Sequence, residues 1–354
     1  MRAVLIKNGS GPLEDLYIGD APSPVPRADE VLVKIKAFGL NRMDILQRNG
    51  NYPPPPGSSN ILGVEFSGTV ASIGDGVTRW KEGDAVLGLA GGGAYAECIV
   101  VPQTHVVAKP SALSWAEAAS LPECYLTAFQ AVVMYGEIQP GDDVLVHAGA
   151  SGVGIAAIQL AQLYNSKSIT ATASTQTKLD FLLNSAGATH VANYQTRNFS
   201  EVVLKEATGG KGVDVVVDFV YVSLPLSAMQ PAIEVVSGQS HFQKNIDSMA
   251  LDGRMTMLAF LSGAVVPNVN LAPVLRKRLR IQGSTLRSRT AAYQTELMVR
   301  FELEVLPHIT GAEGNGKLKT WIHKREVYPW TQIQDAHREM EADANIGKII
   351  AEVV

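Results

Sequence analysis

The chain has 354 residues, 46% hydrophobic and 18% charged, which predicts a soluble globular protein of about two domains. Its net charge of −4, with Arg276–Arg280 as the densest basic run, argues against a nucleic-acid partner. Two cysteines, Cys98 and Cys124, exclude a disulfide framework and a four-cysteine zinc site, and they favour a reducing, cytoplasmic location. The N-terminal apolar run is too short for a secretory signal, and a buried strand and helix explain the most apolar window, residues 144–163, better than a membrane span.

The first 120 residues are predicted to form short strands separated by turns. Val31–Ala37 alternates apolar and polar side chains, as a half-buried strand does, and Gly63–Ile73 and Ala85–Leu89 are further strand candidates. Turn residues are dense between them, for example in the run Pro53–Pro56. Short strands with many turns are typical of a barrel-like β domain.

After Pro122 the predicted strands alternate with helices. One helix is predicted from Gln176 to Ala186. The six predicted strands cover residues 144–146, 168–173, 191–194, 213–218, 254–258 and 279–283. This alternation is typical of the α/β class and of a doubly wound parallel sheet. Residues 317–354 return to strand, helix and strand, and we expect this tail to rejoin the first domain.

One strand–turn–helix unit carries the strongest functional signal. The first strand of the sheet leads into a helix of small and aliphatic residues through Gly149, Gly152 and Gly154. Free backbone N–H groups and the positive helix end make such a turn a site for a pyrophosphate, and glycines let the ligand approach closely. The order of the glycines differs from the usual dinucleotide fingerprint, so a tightly packed turn without a ligand is the alternative.

The end of the second strand bears on which dinucleotide is bound. An NAD site places a carboxylate there to hold the ribose 2′-hydroxyl. The segment from Thr172 to Lys178 has no carboxylate, whereas Ser174 and Lys178 suit a 2′-phosphate. These residues therefore favour NADPH, the alternative being an ordinary helix cap followed by an exposed lysine.

Seven stretches of the chain resemble a known family. They are Asn41–Asp44, Gln47–Gly57, Asn60–Glu65, Leu126–Gln130, His147–Gly154, Leu286–Arg289 and Asn345–Ile349. Together they resemble the zinc-free quinone oxidoreductases of the medium-chain dehydrogenase/reductase superfamily. The branch with the tumour-suppressor-inducible NADPH:quinone oxidoreductase is the most similar one, and ζ-crystallin is more distant.

The resemblance implies two domains and a set of site residues. A GroES-like β-rich domain would cover residues 1–124 and be completed by 306–354, and a Rossmann NADPH-binding domain would cover 125–305. The resemblance implies that Asn41, Asp44 and Tyr52 face the substrate. It implies cofactor contacts by Ser151, Gly152 and Val153 at the pyrophosphate, by Ser174, Lys178 and Tyr194 at the 2′-phosphate, by Phe260, Leu261, Ser262, Leu286, Arg287 and Ser288 near the nicotinamide, and by Lys348.

The resemblance also bears on zinc. In the zinc alcohol dehydrogenases of the superfamily a cysteine stands where Asn41 stands, and a histidine stands where Val64 stands. Asn and Val cannot replace thiolate and imidazole as ligands, so we expect no metal and no alcohol oxidation.

Two features depart from the family pattern. Ala173 replaces a usual glycine before Ser174, and its methyl group is expected to crowd the ribose slightly. About 16 extra residues, Tyr221–Val236, follow the fourth strand. They are either a genuine loop over the cofactor or a partner, or translated non-coding sequence from a wrong gene prediction, and sequencing of the transcript would decide between these two.

The predicted function is hydride transfer from NADPH to a quinone or another electron-poor enone. Tyr52 is the predicted hydrogen-bond donor to the substrate carbonyl, with packing on the proline run as its alternative role. Asn41 and Asp44 either position the substrate or cap a turn and a helix. Cys124 and His147 are expected to be structural.

Other functions share these sequence features. An enoyl reductase acting on α,β-unsaturated carbonyls would use the same hydride donor. A non-catalytic NADPH-binding protein, structural or RNA-binding, is the third hypothesis, although the net acidity argues against RNA. Relatives pair through an edge strand of the Rossmann sheet, so we expect a homodimer formed through Leu279–Ser284.

Overall fold

The computed structural model describes residues 1–219, 238–259, 266, 268–309 and 315–354. The predicted insertion Tyr221–Val236 and the predicted site residues Phe260, Leu261 and Ser262 lie outside this part. The chain forms two compact units. Unit 1 consists of Met1–Leu126 and Leu286–Val354, and unit 2 is Thr127–Thr285. The domain boundaries predicted at 124/125 and 305/306 stay predictions.

The N-terminal segment of unit 1 is rich in short strands, as predicted. Its strands are β1 (Arg2–Ile6), β2 (Leu16–Asp20), β3 (Glu30–Gly39), β4 (Glu65–Ile73), β5 (Ala85–Leu89), β6 (Cys98–Pro102) and β7 (Val106–Ala108). Its helices are α1 (Arg42–Arg48), α2 (Trp115–Ala119) and α3 (Pro122–Phe129), the last of which crosses into unit 2. The alternation of Val31–Ala37 is confirmed, because Val31, Val33 and Ile35 are buried on one face of β3.

The remaining elements follow in chain order. Unit 2 contains β8 (Asp143–Val146), α4 (Gly152–Leu163), β9 (Ser168–Ala173), α5 (Gln176–Phe181), β10 (His190–Asn193), α6 (Phe199–Glu201), β11 (Val213–Asp218), α7 (Gly238–Ser248), β12 (Met249–Met257), α8 (Ala272–Arg276) and β13 (Arg280–Gly283). The chain then returns to unit 1 with α9 (Ala291–Arg300), β14 (Tyr328–Pro329), α10 (Ile333–Glu341) and β15 (Ile350–Glu352). α5 continues as a π-helical segment to Ala186, which completes the predicted helix.

The sheet of unit 1 takes the C-terminal tail as a strand. Its described strands lie in the order β14-β15-β3-β4-β5-β7, and β6 also pairs with β3. β15 runs antiparallel to β3 with Ile350 opposite Gly39, so the residues just before β15 lie beside the end of β3. Buried aliphatic and aromatic side chains from both ends of the chain, including Phe38, Tyr95 and Trp330, form one core.

The sheet of unit 2 is the predicted doubly wound parallel sheet. Its order is β10-β9-β8-β11-β12-β13, and its pairings are parallel. The strand order reverses between β8 and β11, and ligands bind such sheets at the carboxyl ends of the strands where the order reverses. The glycine-rich turn after β8 lies at this place. Among the described residues, no helix is long and apolar enough to cross a bilayer.

Candidate functional site

The turn between β8 and α4 leads into a helix N-terminus that is lined by small residues. Ser151 is the N-cap, and its Oγ accepts the backbone N–H of Gly154 at 3.1 Å. Gly152 and Val153 are the first two helical residues, so their N–H groups have no intrahelical carbonyl to bind. A Cβ on Gly154 would lie 2.5 Å from the carbonyl oxygen of Ala148 and 2.8 Å from backbone atoms of Gly149. The turn therefore needs glycine for its close backbone packing as well as for any ligand.

The residues predicted at the 2′-phosphate lie at the ends of β9 and β10. Asn193 pairs with Ala173 in the sheet, and its side-chain amide donates to the Ser174 carbonyl at 3.2 Å. Tyr194 follows directly and donates its N–H to the carbonyl of Ala173 at 3.3 Å. Lys178 lies in the first turn of α5. The fold brings Ser174, Lys178 and Tyr194 to the same end of two neighbouring strands.

His147 ties three strand ends together beside the glycine turn. It is fully buried, and burial lowers the pKa of its imidazole to about 4, so the ring is neutral. Its Nε2–H donates to Asn245 Oδ1 at 2.7 Å, and its Nδ1 accepts from the Thr172 hydroxyl at 3.0 Å. Asn245 donates in turn to Asp218 Oδ2 at 2.9 Å. The histidine therefore links β8, β9, β11 and α7.

A closed ring of polar side chains lies in unit 1 at the start of α1. Lys348 donates to Asn41 Oδ1 at 2.5 Å and forms an ion pair with Glu65. The Asn41 amide nitrogen donates to Glu65 Oε1 at 2.9 Å, which closes the ring. The second carboxylate oxygen of Glu65 accepts the backbone N–H of Glu123 at 2.9 Å. Buried charges are tolerated only when they are paired and hydrogen-bonded, as these are.

Asp44 is buried and held by three donors. Its Oδ2 accepts the N–H of Asn41 at 2.8 Å and the hydroxyl of Tyr95 at 3.1 Å, and its Oδ1 accepts the N–H of Gly63 at 3.1 Å. Burial outweighs these bonds and raises the pKa of Asp44 from 3.8 to about 6. The carboxylate therefore fixes the N-terminus of α1 and the Gly63 loop.

A directional chain of hydrogen bonds connects Asp44 to the C-terminal helix. Arg48 has only donors, so its contact at 3.3 Å makes His337 Nδ1 an acceptor and leaves the proton on Nε2. Nε2 then donates to the Tyr95 oxygen at 3.3 Å, which frees the Tyr95 hydroxyl for Asp44. Burial first, and the charge of Arg48 second, lower the pKa of His337 to about 3. Arg48 also pairs with Glu341.

Tyr52 and Arg287 meet beside Gln47 of α1. The guanidinium carbon lies 5.6 Å from the centre of the half-buried Tyr52 ring. Arg287 donates from Nε to the Gly91 carbonyl at 2.8 Å and from Nη2 to Gln47 Oε1 at 2.7 Å. Burial raises the pKa of Tyr52, while the Arg287 charge opposes that shift. Tyr52 is thus the more exposed partner of a buried cation.

The remaining predicted residues have simple environments. Leu286 is buried, and its carbonyl accepts the Gln294 side chain at 3.0 Å, whereas Ser288 is exposed. Cys124 is buried, and burial raises the pKa of its thiol to about 12, so it is protonated near neutral pH.

Zinc does not fit the polar ring of unit 1. In the part of the chain that the structure describes, no three His, Cys, Asp or Glu side chains cluster as metal ligands. At the ring the donors are an amide, a carboxylate and the ammonium of Lys348, which already neutralises Glu65.

Sequence comparison identifies the family. Residues 27–111 match the alcohol dehydrogenase GroES-like domain, and residues 186–350 match the family described as zinc-binding dehydrogenase. Quinone oxidoreductase 1 of Escherichia coli (strain K12) is 32% identical over 324 residues, covering 91% of this chain and 90% of that protein. The chain belongs to the medium-chain dehydrogenase/reductase superfamily. Within this superfamily it lies in the quinone-oxidoreductase-like branch, as the sequence motifs predicted.

Other members of the superfamily are similar over nearly the whole chain. The synaptic vesicle membrane protein VAT-1 homolog of Danio rerio is 32% identical over 338 residues, 92% of this chain. The match covers 65% of that relative, just under two thirds of its length. The structure of Escherichia coli quinone oxidoreductase complexed with NADPH has a TM-score of 0.81 and 29% identity, covering 99% of each chain. CurK enoyl reductase has a TM-score of 0.81 and 28% identity, covering 99% of this chain and 98% of that one. The predicted α/β fold with a GroES-like domain is confirmed. As a member of this superfamily, the chain is an oxidoreductase.

The glycine-rich turn after β8 was visible in the sequence, but most polar contacts of unit 1 were not. Tyr95, His337 and Arg48 carry no local motif, and the predicted cofactor residues Arg287 and Lys348 gave no sign of their side-chain partners. The sequence contains one signal for Lys348. It lies in the stretch Asn345–Ile349, directly before the apolar end of the chain, so its charge had to lie beside a buried strand.

Proposed function

We propose that this protein transfers a hydride from NADPH to quinones or other electron-poor enones. The single observation that carries the proposal is the Ser151–Gly154 turn, where the N–H groups of Gly152 and Val153 have no intrahelical acceptor and lie at the reversal point of the sheet in unit 2. Such a turn holds the pyrophosphate of a dinucleotide. The similar structure of Escherichia coli quinone oxidoreductase complexed with NADPH supports the same cofactor.

The preference for NADPH over NADH rests on the end of β9. Ser174, Lys178 and Tyr194 gather there, and the segment 174–178 has no carboxylate to repel a 2′-phosphate. A carboxylate at this place would favour the ribose hydroxyl of NADH instead.

The polar side chains of unit 1 would act on the acceptor. NADPH supplies the hydride when it is bound. Tyr52 would donate a hydrogen bond to the acceptor carbonyl, whose oxygen gains negative charge during the transfer, with the Arg287 cation beneath its ring. Asn41 would position the acceptor with its amide, and Asp44 would hold the start of α1 that carries Asn41.

A reaction without zinc is part of the proposal. The Asn41–Glu65–Lys348 ring offers no thiolate or imidazole ligand and contains its own cation. Hydride transfer to an electron-poor acceptor needs hydrogen-bond donors at the carbonyl rather than a metal to stabilise an alkoxide.

The proposal predicts that the purified protein oxidises NADPH faster than NADH with a simple quinone as acceptor. Initial rates with each cofactor, followed by nicotinamide absorbance, are the measurement. The variant Ser174→Asp should lose about tenfold or more of its preference for NADPH, because the new carboxylate repels the 2′-phosphate. Equal wild-type rates with both cofactors, or no turnover with any quinone or enone, would contradict the proposal.

Enoyl reduction is the second candidate, because CurK enoyl reductase has a similar structure. The hydride donor would be the same, so a panel of quinones and α,β-unsaturated carbonyls separates the two by kcat/KM. Tight NADPH binding without turnover on either class would favour a non-catalytic role. A cytoplasmic homodimer that acts on a small-molecule acceptor, without nucleic acid or membrane, completes the proposal.

A further inference from the structure

Lys348 reaches the start of α1 because of the register of the C-terminal strand. Ile350 lies opposite Gly39, and the N–H of Leu40 donates to the carbonyl of Ile349 at 3.0 Å. These bonds set the backbone of Lys348 next to Asn41, although 307 positions separate the two residues in the sequence. The pairing of the C-terminal strand therefore fixes the position of the Lys348 ammonium beside Asn41.

Two donors of the Lys348 ammonium are engaged within unit 1. One binds the Glu65 carboxylate, and one binds Asn41 Oδ1. The side chain is 6% exposed and that of Glu65 is fully buried. Burial opposes the charge, yet the surrounding groups, Cys124 and Glu65 foremost, hold the pKa of Lys348 above its ordinary value. An ammonium that is buried and already paired with a buried carboxylate is a poor ligand for a cofactor phosphate.

The backbone around this ion pair is shaped to admit it. A Cβ on Gly39 would lie 2.3 Å from Glu65 Oε1 and 2.8 Å from Lys348 Cε. Only glycine at this point of β3 lets the two long side chains pass over the strand. The Lys348–Glu65 ion pair is therefore buried against β3 and depends on the glycine in that strand.

The ring fixes one orientation of the Asn41 amide. The amide oxygen faces the Lys348 ammonium, and the amide nitrogen faces the Glu65 carboxylate. If the amide were flipped, its N–H donors would face the ammonium and its oxygen would face the carboxylate. Hydrogen bonds to charged groups hold this orientation more firmly than neutral ones. Because the amide cannot flip, the direction of its second N–H is also fixed. Asn41 as a whole is 8% exposed.

We propose that Lys348 is a positioning residue, which orients the Asn41 amide toward the acceptor and does not bind the cofactor. The inference rests on the proposed function for the assignment of Asn41 to the acceptor. It adds the residue that holds Asn41 and removes Lys348 from the cofactor contacts.

The test uses variants that keep the buried charges balanced. Lys348→Met combined with Glu65→Gln removes both charges, so no lone carboxylate is left buried. Lys348→Arg keeps the cation. Lys109→Met is the matched control, because Lys109 is a partly buried lysine of unit 1 that binds the carbonyl of Pro110 at 2.9 Å and lies 5.0 Å from the Trp115 ring centre. Circular dichroism and thermal unfolding establish that each variant folds.

The expected results separate positioning from cofactor binding. In the Lys348→Met/Glu65→Gln variant, kcat for the quinone falls about tenfold or more at saturating NADPH, while the Kd for NADPH changes by less than about twofold. Lys348→Arg restores most of kcat, and Lys109→Met leaves it unchanged. In an Asn41→Ala background the double substitution costs no further activity, because the group that it orients is already gone.

Three results would overturn the inference. They are a weakened Kd for NADPH with unchanged kcat, losses that add to those of Asn41→Ala, and an unchanged kcat in the charge-balanced variant. A wild-type protein without turnover would contradict the proposed function alone. In that case the Asn41 side-chain amide signal, assigned in selectively labelled protein by its loss in Asn41→Ala, is the readout. It should shift in Lys348→Met/Glu65→Gln but not in Lys109→Met, and an unshifted signal would refute the orienting role.

Discussion

Asp44 is a buried carboxyl group that holds the start of α1, and its contribution to the free energy of unfolding depends on pH. Its pKa is about 6 in the folded chain and ordinarily 3.8. Because the folded state binds this proton more tightly than the unfolded state, the contribution of Asp44 to the free energy of unfolding is greatest below the ordinary pKa. It falls as the pH rises through the window between the two values and is constant above about pH 7.

This dependence predicts how Asp44→Asn changes stability with pH. The variant cannot ionise, so its free energy of unfolding should rise relative to that of the wild type by about 3 kcal/mol between about pH 3 and pH 7. Replacing one acceptor oxygen by an amide adds a penalty that is independent of pH. Urea unfolding at several pH values measures the difference, and parallel stability profiles for the two proteins would show that burial does not shift this group.

At the scale of an element, the proposed cofactor site depends on α4, whose first turn packs directly on the turn before it. Gly154→Ala places a methyl group 2.5 Å from the carbonyl oxygen of Ala148, and backbone atoms cannot move aside as a flexible side chain would. The first turn of α4 must shift, so its N–H groups lose their common direction toward a phosphate.

We therefore expect Gly154→Ala to weaken NADPH binding by about tenfold or more and to lower the Tm. Titration followed by nicotinamide fluorescence and a thermal scan are the measurements. Lys205→Ala is the control, because the Lys205 side chain is 72% exposed and lies in the same unit. Equal affinities for the two variants would mean that the turn does not hold the cofactor.

At the scale of the whole molecule, the sheet of unit 2 leaves β13 at one end of its described order. An edge strand presents unpaired N–H and carbonyl groups that a second copy can extend. The neighbouring helix α8 adds Leu275, which is 82% exposed, and the adjoining Leu271 is 63% exposed. These features support the homodimer expected through Leu279–Ser284.

The dimer is tested by light scattering coupled to size exclusion. The wild-type chain should elute at twice the monomer mass, and Gln282→Pro should elute as a monomer, because proline cannot donate to a continuing sheet. Val191→Pro on β10, at the opposite end of the sheet order, should leave the dimer intact. A monomeric wild type, or a dimer that survives Gln282→Pro but not Val191→Pro, would contradict pairing through β13.

The sequence by itself determined the layered architecture and the glycine-rich turn after β8. Ser168–Ala173 and Val213–Asp218 have the predicted bounds, because both are rich in β-branched residues and lie between turn residues. Boundaries are less certain where apolar runs fade, so β10 begins at His190 and leaves Tyr194 outside the strand. The glycine turn could also be predicted, since local backbone demands select glycine locally.

Only the tertiary structure decided which polar side chains meet in unit 1. Tyr95 and His337 are 242 positions apart, and Lys348 and Asn41 are 307 apart, so no periodicity or spacing connects them. Their contacts depend on the pairing of β15 with β3 and on the packing of α10 near α1. A shift of one residue in that register would turn each side chain to the opposite face of the sheet, and hydrogen bonds act over only about 3 Å. Local sequence patterns set the elements, but polar partners are selected by long-range register.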